Sequence, residues 1–288
     1  MKDRPLKRRK KYFLQTIGRF AQNRTAMAGF IIFSIFIFTA LFPGVFCSYE
    51  DAVRQDAAMR LKGFSGEHWF GTDRMGRDVF ARIVYGTRIS LGLSILVVLL
   101  SAFTGGILGS FSALAGGSTD NLIMRVVDIF TCIPNILLTL AMITVMGPGI
   151  RNLIIAMGII YTIGFIRVTR SAVLSIVGMD FISAARISGF NTWEIIIRHV
   201  LPNAVGIIIV QSAMSVAGAI LSIAGLSFLG LGIQPPAPEW GAMLNEGREY
   251  MRTVPLLIIM PGLAILLTAL SLNLIGDGLR DALDPRHR

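Results

Sequence analysis

Charge is what this sequence has least of. Asp, Glu, Lys and Arg make up 15% of the 288 residues, against about 25% in a soluble domain. Apolar residues take 53%, and mean hydropathy is +0.67. This balance excludes an ordinary soluble globule and points to a membrane protein. Cysteine is nearly absent. Cys47 and Cys132 are the only two, which excludes a disulfide framework and a Cys-rich zinc module. Histidine is limited to His68, His199 and His287, and none stands in metal-ligand spacing with Cys, Asp or Glu. No Gly-Lys pair occurs anywhere, so the Gly-rich loop and lysine that cradle nucleotide phosphates are missing. No Ser-His-Asp constellation is visible either. The chain is therefore expected to be no enzyme, with no catalytic, cofactor or metal residues of its own.

The charges that are present are unevenly placed. Bases outnumber acids by 27 to 17, and nine of the bases lie in residues 1–25. Six fall between Arg4 and Lys11. Attraction to an anionic membrane surface accounts for such a tail, and nucleic acid is not needed as a partner.

A helix needs about 20 apolar residues to cross the hydrocarbon core. Runs free of charge occupy Thr25–Tyr49, Ile89–Thr119, Ile129–Ile150, Asn152–Ile166, Val200–Pro238 and Thr253–Gly276. The fourth is short and reaches a workable length only if Arg167 snorkels toward the headgroups. The first run is longer than a signal-peptide core, and Gly44-Val45-Phe46-Cys47 is no cleavage or lipidation pattern, so it reads as an uncleaved anchor. With the N-terminus inside, the inner segments hold 17 Lys and Arg and the outer ones 10, which agrees with the positive-inside rule. The expected fold is all-α and polytopic, with about six transmembrane helices and both termini cytoplasmic. Residues 1–25 form a basic tail, 26–276 the transmembrane domain and 277–288 a second tail. Within the domain, loops 48–88 and 228–255 lie outside and loop 167–203 inside.

Loop 167–203 predicts two short helices. One, about Met179–Ser188, ends at Gly189, which supplies the left-handed position that closes a helix. The next starts near Thr192, with Asn191 or Thr192 as cap, and Pro202 stands where its missing N–H costs little. Such an element is either a docking surface or an amphipathic connector. The stretch Ala184-Ala185-x3-Gly189-x11-Leu201-Pro202 resembles the EAA loop of ATP-binding-cassette importer permeases, with Ser183 in place of the Glu and His199 in place of an Ile. Three further segments resemble the C-type subunits of the dipeptide, oligopeptide and nickel group: His68 to Val79, Leu226 to Pro236 with Glu239-Trp240-Gly241, and Asn273 to Pro285.

That resemblance covers roughly residues 10–288 and implies a type I importer permease in the cell membrane. It implies three kinds of partner: a second, B-type permease subunit, two ATPase subunits that carry ATP and Mg, and an extracytoplasmic substrate-binding protein. Ser183, Ala184, Ala185, Gly189, Leu201 and Pro202 would then couple to the ATPase. Di- or oligopeptides are the expected substrates, with nickel or a metal chelate as the alternative. A channel, an ion-driven transporter or a membrane scaffold are different classes, and the EAA-like loop argues against them.

The outer loops carry two readings each. The Asp73-Arg74 and Arg77-Asp78 pairs either contact the binding protein or order the loop, with Gly71 and Gly76 making turns. Pro235, Pro236 and Pro238 forbid regular helix in Gly230–Tyr250. Glu239 and Trp240 there serve a gate or a partner contact, or else Trp240 anchors at the interface. At the span edges, Arg167 and Arg170 snorkel or face protein, while Asp128 calls for a buried partner or a cavity. Gly105, Gly106, Gly109 and Ser110 allow close helix packing.

Overall fold

In a computed structural model, residues 16–283 are described, so most of the N-terminal tail and the end of the C-terminal one lie outside the described residues. All the regular elements among them are helices. From Arg24 onward the α-helices are, in chain order, α1 (Arg24–Leu41), α2 (Tyr49–Val53), α3 (Val79–Ala115), α4 (Gly117–Thr131), α5 (Asn135–Met146), α6 (Ile150–Val177), α7 (Asp180–Ile187), α8 (Thr192–Ile195), α9 (Leu201–Phe228), α10 (Trp240–Gly247) and α11 (Leu256–Leu283). Among the described residues, five segments are long and apolar enough to cross a membrane, and the bent pair α4–α5 makes a sixth if it counts as one span.

Helix starts follow local chemistry. Asn23 accepts from the N–H groups of Thr25 and Ala26 to open α1, and Asp78 accepts from Ala81 N–H to open α3. Each satisfies donors that a helix N-terminus leaves without partners. Helix α3 begins ten residues before the uncharged run at Ile89 and takes Arg82 and Arg88 into its body. It is tied to α6 through small residues. A Cβ added to Gly105 would lie 2.5 Å from the Phe165 Cβ, and one added to Gly109 would lie 2.6 Å from the Ile166 carbonyl oxygen. Ser101 Oγ donates to the Gly158 carbonyl at 3.0 Å. On the other side of the bundle, Gly29 of α1 sits against Ser271 and Leu274 of α11. The central core joins Leu91, Val98, Phe165, Ile220, Trp240 and Leu272 from five elements.

Two expectations are corrected here. The third run is not a straight span: α4 and α5 meet at 85° across residues 132–134. Pro134 stands at the break, and a proline neither donates the helix hydrogen bond nor leaves room for the carbonyl four residues back. The fourth run does not stop for Arg167 to snorkel. Helix α6 continues through Arg167 and Arg170 to Val177, because both guanidinium groups find carboxylates. Arg170 Nε and Nη2 bond the two oxygens of Asp120 at 2.6 Å each, with Ser112 Oγ also donating to Asp120. Arg167 Nη2 reaches Asp128 at 2.6 Å. Asp128 therefore has a partner, but the pair lies on the surface of this chain and not in its interior.

Residues 43–78 and 230–255 gather at one end of the bundle, the loop end. The short helices α7 and α8 project from the opposite, hairpin end. There Ile182, Ala185, Ile195 and Val200 pack on Ala113, Val173 and Ile176, which fixes the hairpin to the ends of α3 and α6.

Candidate functional site

The hairpin is built by local rules. Helix α7 ends in a doubly bonded turn: Gly189 N–H donates to the Arg186 carbonyl at 3.0 Å and Phe190 N–H to the Ala185 carbonyl at 3.2 Å. Gly189 holds φ +84°, the left-handed backbone in which a Cβ is unfavourable. Asn191 then caps α8. Its Oδ1 accepts from Glu194 N–H at 2.9 Å, and Glu194 Oε2 accepts from Asn191 N–H at 2.9 Å, a reciprocal box that satisfies two donors at once. From Ile196 to Val200 the helix widens into a π turn and reaches Pro202 in the first turn of α9. The wider turn spares the clash between the proline ring and the carbonyl four residues back.

The sequence-selected residues divide between the two faces of this hairpin. Ala185 faces the bundle, while Ser183, Ala184, Gly189 and Pro202 are exposed and Leu201 is half-buried. Open space surrounds the position a Gly189 Cβ would take. Sequence reasoning missed two neighbours. Ile187 is 88% exposed, and Trp193 lies half-exposed, stacked on Phe111 at 5.5 Å. The open isoleucine beside the turn and the stacked indole each offer apolar surface that a partner can cover. Their spacing on two different helices hid this in the sequence.

The loop end is organised by buried charge. Asp73 Oδ1 accepts from the N–H groups of Met75 and Arg77 at 2.7 and 3.0 Å, and its Oδ2 accepts from Arg77 Nε at 2.7 Å. Arg82 Nη1 also bonds Asp73 Oδ2. Glu246 Oε2, on α10, accepts from Arg77 Nη2 and Arg82 Nη1 at 2.6 Å each. All four side chains are buried. Two cations and two anions make a neutral knot that fastens residues 73–82 to α10. The neighbouring-residue pairs read from the sequence are thus replaced: Arg77 pairs with Asp73 and Glu246, and Asp78 pairs with His68 Nδ1 at 2.7 Å. The turns form at Gly71 and Gly76, with φ +75° and +78°. The pairing of Arg82 with Glu246 was not expected, because nothing local links residues 164 apart.

Glu239 and Trp240 are interior residues and present no surface in this conformation. The expectation of no regular helix in Gly230–Tyr250 fails past Pro238, because Glu239 caps α10, accepting from Gly241 and Ala242 N–H at 2.9 and 2.8 Å and from Ser90 Oγ at 3.2 Å. Burial pushes its carboxyl above the usual carboxylate range, and those donors oppose the shift. Trp240 does not anchor at an interface. Its Nε1 donates to the Ile83 carbonyl at 3.2 Å, its ring meets Phe36 edge-on, and Gly86 leaves it space. Beside the knot, an open cavity of about 640 Å³ is lined by Asp51, Arg54, Glu67, His68 and Trp69 among others. No group of three or more His, Cys, Asp or Glu among the described residues is placed to hold a metal ion.

Comparison with known proteins bears on this arrangement of a projecting hairpin at one end and a fastened loop cap at the other. Residues 105–288 match the family described as binding-protein-dependent transport system inner membrane component. Residues 11–63 match the N-terminal TM domain of oligopeptide transport permease C. The chain is 43% identical over 265 residues to a dipeptide transport system permease protein of Alkalihalophilus pseudofirmus, covering 92% of this chain and 87% of that one. It is 42% identical over 268 residues to a glutathione transport system permease protein of Pectobacterium atrosepticum, covering 93% and 89%. A di/tripeptide transport system permease protein of Pseudomonas aeruginosa is 38% identical over 272 residues, covering 93% and 90%. A family match across residues 105–288, with relatives aligned along nearly the whole chain, shows that this protein belongs to the binding-protein-dependent transport system inner membrane components.

Proposed function

We propose that this chain is the C-type permease subunit of an ATP-driven importer of di- or oligopeptides. It works beside a second permease subunit, two ATPase subunits and an extracytoplasmic binding protein. The hairpin end faces the cytoplasm with both termini, and the loop end faces outward. The chain itself carries no cofactor, and ATP and Mg act on the ATPase subunits. The peptide substrate is supported by relatives named for dipeptides, di/tripeptides and glutathione.

The observation that carries the mechanical reading is the hairpin: a rigid helix–Gly–helix, anchored to the ends of α3 and α6 by Ile182, Ile195 and Val200, with Ile187 left open. An ATPase surface closing on Ile187, Ser183 and Gly189 would push on two long helices at once. ATP binding and the loaded binding protein then shift the population between inward-open and outward-open states. At the other end, the Asp73–Arg77–Arg82–Glu246 knot makes loop 48–88 and α10 move as one body, which suits a gate. The four knot residues and Glu239 and Trp240 act inside that body, and a binding protein would meet the cavity rim around Glu67 and Trp69.

The test is uptake of labelled dialanine into proteoliposomes holding the complete complex. Uptake should require both ATP and the binding protein. Uptake without ATP would favour a channel or an ion-driven carrier, and ATP-dependent uptake of nickel in place of peptide would favour the metal alternative. Orientation is checked separately with Asn191→Cys and Glu249→Cys, both at exposed positions. The first should react only with reagents that reach the cytoplasm and the second from outside; labelling of both from one side would defeat the arrangement.

A further inference from the structure

Two arginines one turn apart on α6 are held in opposite ways. Arg170 is closed: two of its nitrogens bond both oxygens of Asp120, and the pair is largely enclosed. Arg167 is open. A single nitrogen, Nη2, reaches Asp128 Oδ1 at 2.6 Å and Thr131 Oγ1 at 3.4 Å. Its Nε and Nη1, and Asp128 Oδ2, make no hydrogen bond with the described residues. The side chains are 47% and 61% exposed.

The depth of this pair matters. Arg167 stands ten residues before the end of the 28-residue helix α6, or about 15 Å at about 1.5 Å per residue. A helix of that length exceeds a hydrocarbon slab of about 30 Å by only about 6 Å at each end. With α6 centred on such a slab, Arg167 lies about 9 Å inside it. Charged side chains at such depth face protein or water and not lipid. Two neighbouring features leave room at this face. A Cβ on Gly164, one turn along the same face, would meet nothing within 4 Å. The 85° break between α4 and α5 begins just after Thr131, and interrupted helices with free ends mark solute sites in transporters.

We propose that Arg167 and Asp128 are a charged station on the wall of the translocation pathway, taking the carboxylate and the ammonium of a peptide in transit. This rests on the peptide reading above. The free guanidinium edge suits a planar carboxylate, and the free Asp128 oxygen suits an ammonium. With no peptide present the two satisfy each other through one bond, so the wall stays neutral. A zwitterion exchanges one ion pair for two without leaving a lone charge, and it is released when the wall pair re-forms.

The experiment uses the complete complex in proteoliposomes, with dialanine as probe. In a chain lacking Cys47 and Cys132, the Arg167→Cys thiol should react with a water-soluble methanethiosulfonate in at least one nucleotide state, and dialanine should slow that reaction. An Arg167→Cys thiol unreactive in every nucleotide state places the face against the second permease subunit and overturns the proposal. The double variant Asp128→Asn/Arg167→Gln removes both charges and leaves no lone one. It should assemble like the parent yet take up dialanine about tenfold more slowly, since charged hydrogen bonds to both peptide ends are lost. A double variant that transports like the parent makes the pair purely structural and overturns the station. A parent complex that imports no dialanine overturns the peptide reading and the ligand named here; the reactivity of the Arg167→Cys thiol tells that failure apart from a face that is closed to water.

Discussion

Replacing Glu246 by Gln should unbalance the loop end, and removing Arg82 as well should restore it. The knot holds two cations and two anions, all buried, with Glu246 Oε2 shared by Arg77 and Arg82 at 2.6 Å. In Glu246→Gln, two guanidinium groups are left with one carboxylate. Removing one member of a buried ion pair costs about 3–5 kcal/mol, and the low exposure of these groups leaves little solvent to screen the excess charge. On a domain of this size that corresponds to a fall in Tm of roughly 6–20 °C. Adding Arg82→Met returns the remaining Asp73–Arg77 pair to neutrality, with its 2.7 Å contact intact. It also removes Arg82 Nε and Nη2, which are buried without partners; each such group costs about 1–3 kcal/mol to bury. The double variant should therefore lie within about 2 kcal/mol of the parent. Arg77→Met, which removes a guanidinium bonded through both Nε and Nη2, should rescue less. The assay is thermal unfolding of the detergent-purified complex, followed by loss of the monodisperse peak in size exclusion. If Glu246→Gln/Arg82→Met melts as low as Glu246→Gln alone, charge balance is not what holds this end together.

Other variants test single positions. Gly76→Ala should strongly destabilise loop 48–88 in the same assay, because its Cβ would land on the Asp56 carbonyl and φ is +78°, whereas Gly66→Ala, with open space around it, should melt like the parent. Gly189→Ala should cost about 1–2 kcal/mol through the left-handed backbone, with Gly189→Asn costing less. Gly189→Trp should insert in the membrane yet lose ATPase co-purification and uptake, while Ser183→Ala, a small change on an exposed side chain, should keep both. Purified alone, the chain should hydrolyse no ATP; turnover that persists through removal of contaminating ATPases would refute the assignment of hydrolysis to other subunits.

What the sequence made legible was whatever local rules decide. Gly189 as a helix stop, Asn191 as a cap and Gly71 and Gly76 as turns each depend on residues a few positions apart, and each stands where it was expected. The close packing of Gly105 and Gly109 was also readable, because small residues at that spacing have few other uses in a long apolar helix. The errors have one physical origin. Counting uncharged runs treats a charge as the end of a span, and a charge that finds a partner need not end one. Arg82 sits inside α3 because Glu246 waits on α10, and Arg167 and Arg170 sit inside α6 because α4 supplies Asp128 and Asp120. Interface anchoring was one of two readings offered for Trp240, on residue type alone, and the Glu239 cap and the gap at Gly86 instead carry its ring into the core. The break at Pro134 was a different matter: the proline stood in plain view inside the third run, and hydropathy outvoted it.

How fully each buried or membrane-depth charge is satisfied separates scaffold from working parts better than its mere presence does. At the loop end, every carboxylate oxygen of the knot that bonds an arginine is enclosed, so these groups can fix geometry but cannot exchange partners. Asp120 and Arg170 are matched two bonds to two and behave the same way. Arg167 and Asp128 share one bond and keep donors and an acceptor in reserve at a depth where reserve is costly. A chain that only needed to hold α4 to α6 already does so with Arg170, one turn away. The second, looser pair adds little to that fastening, and its free edge stays open to a passing solute.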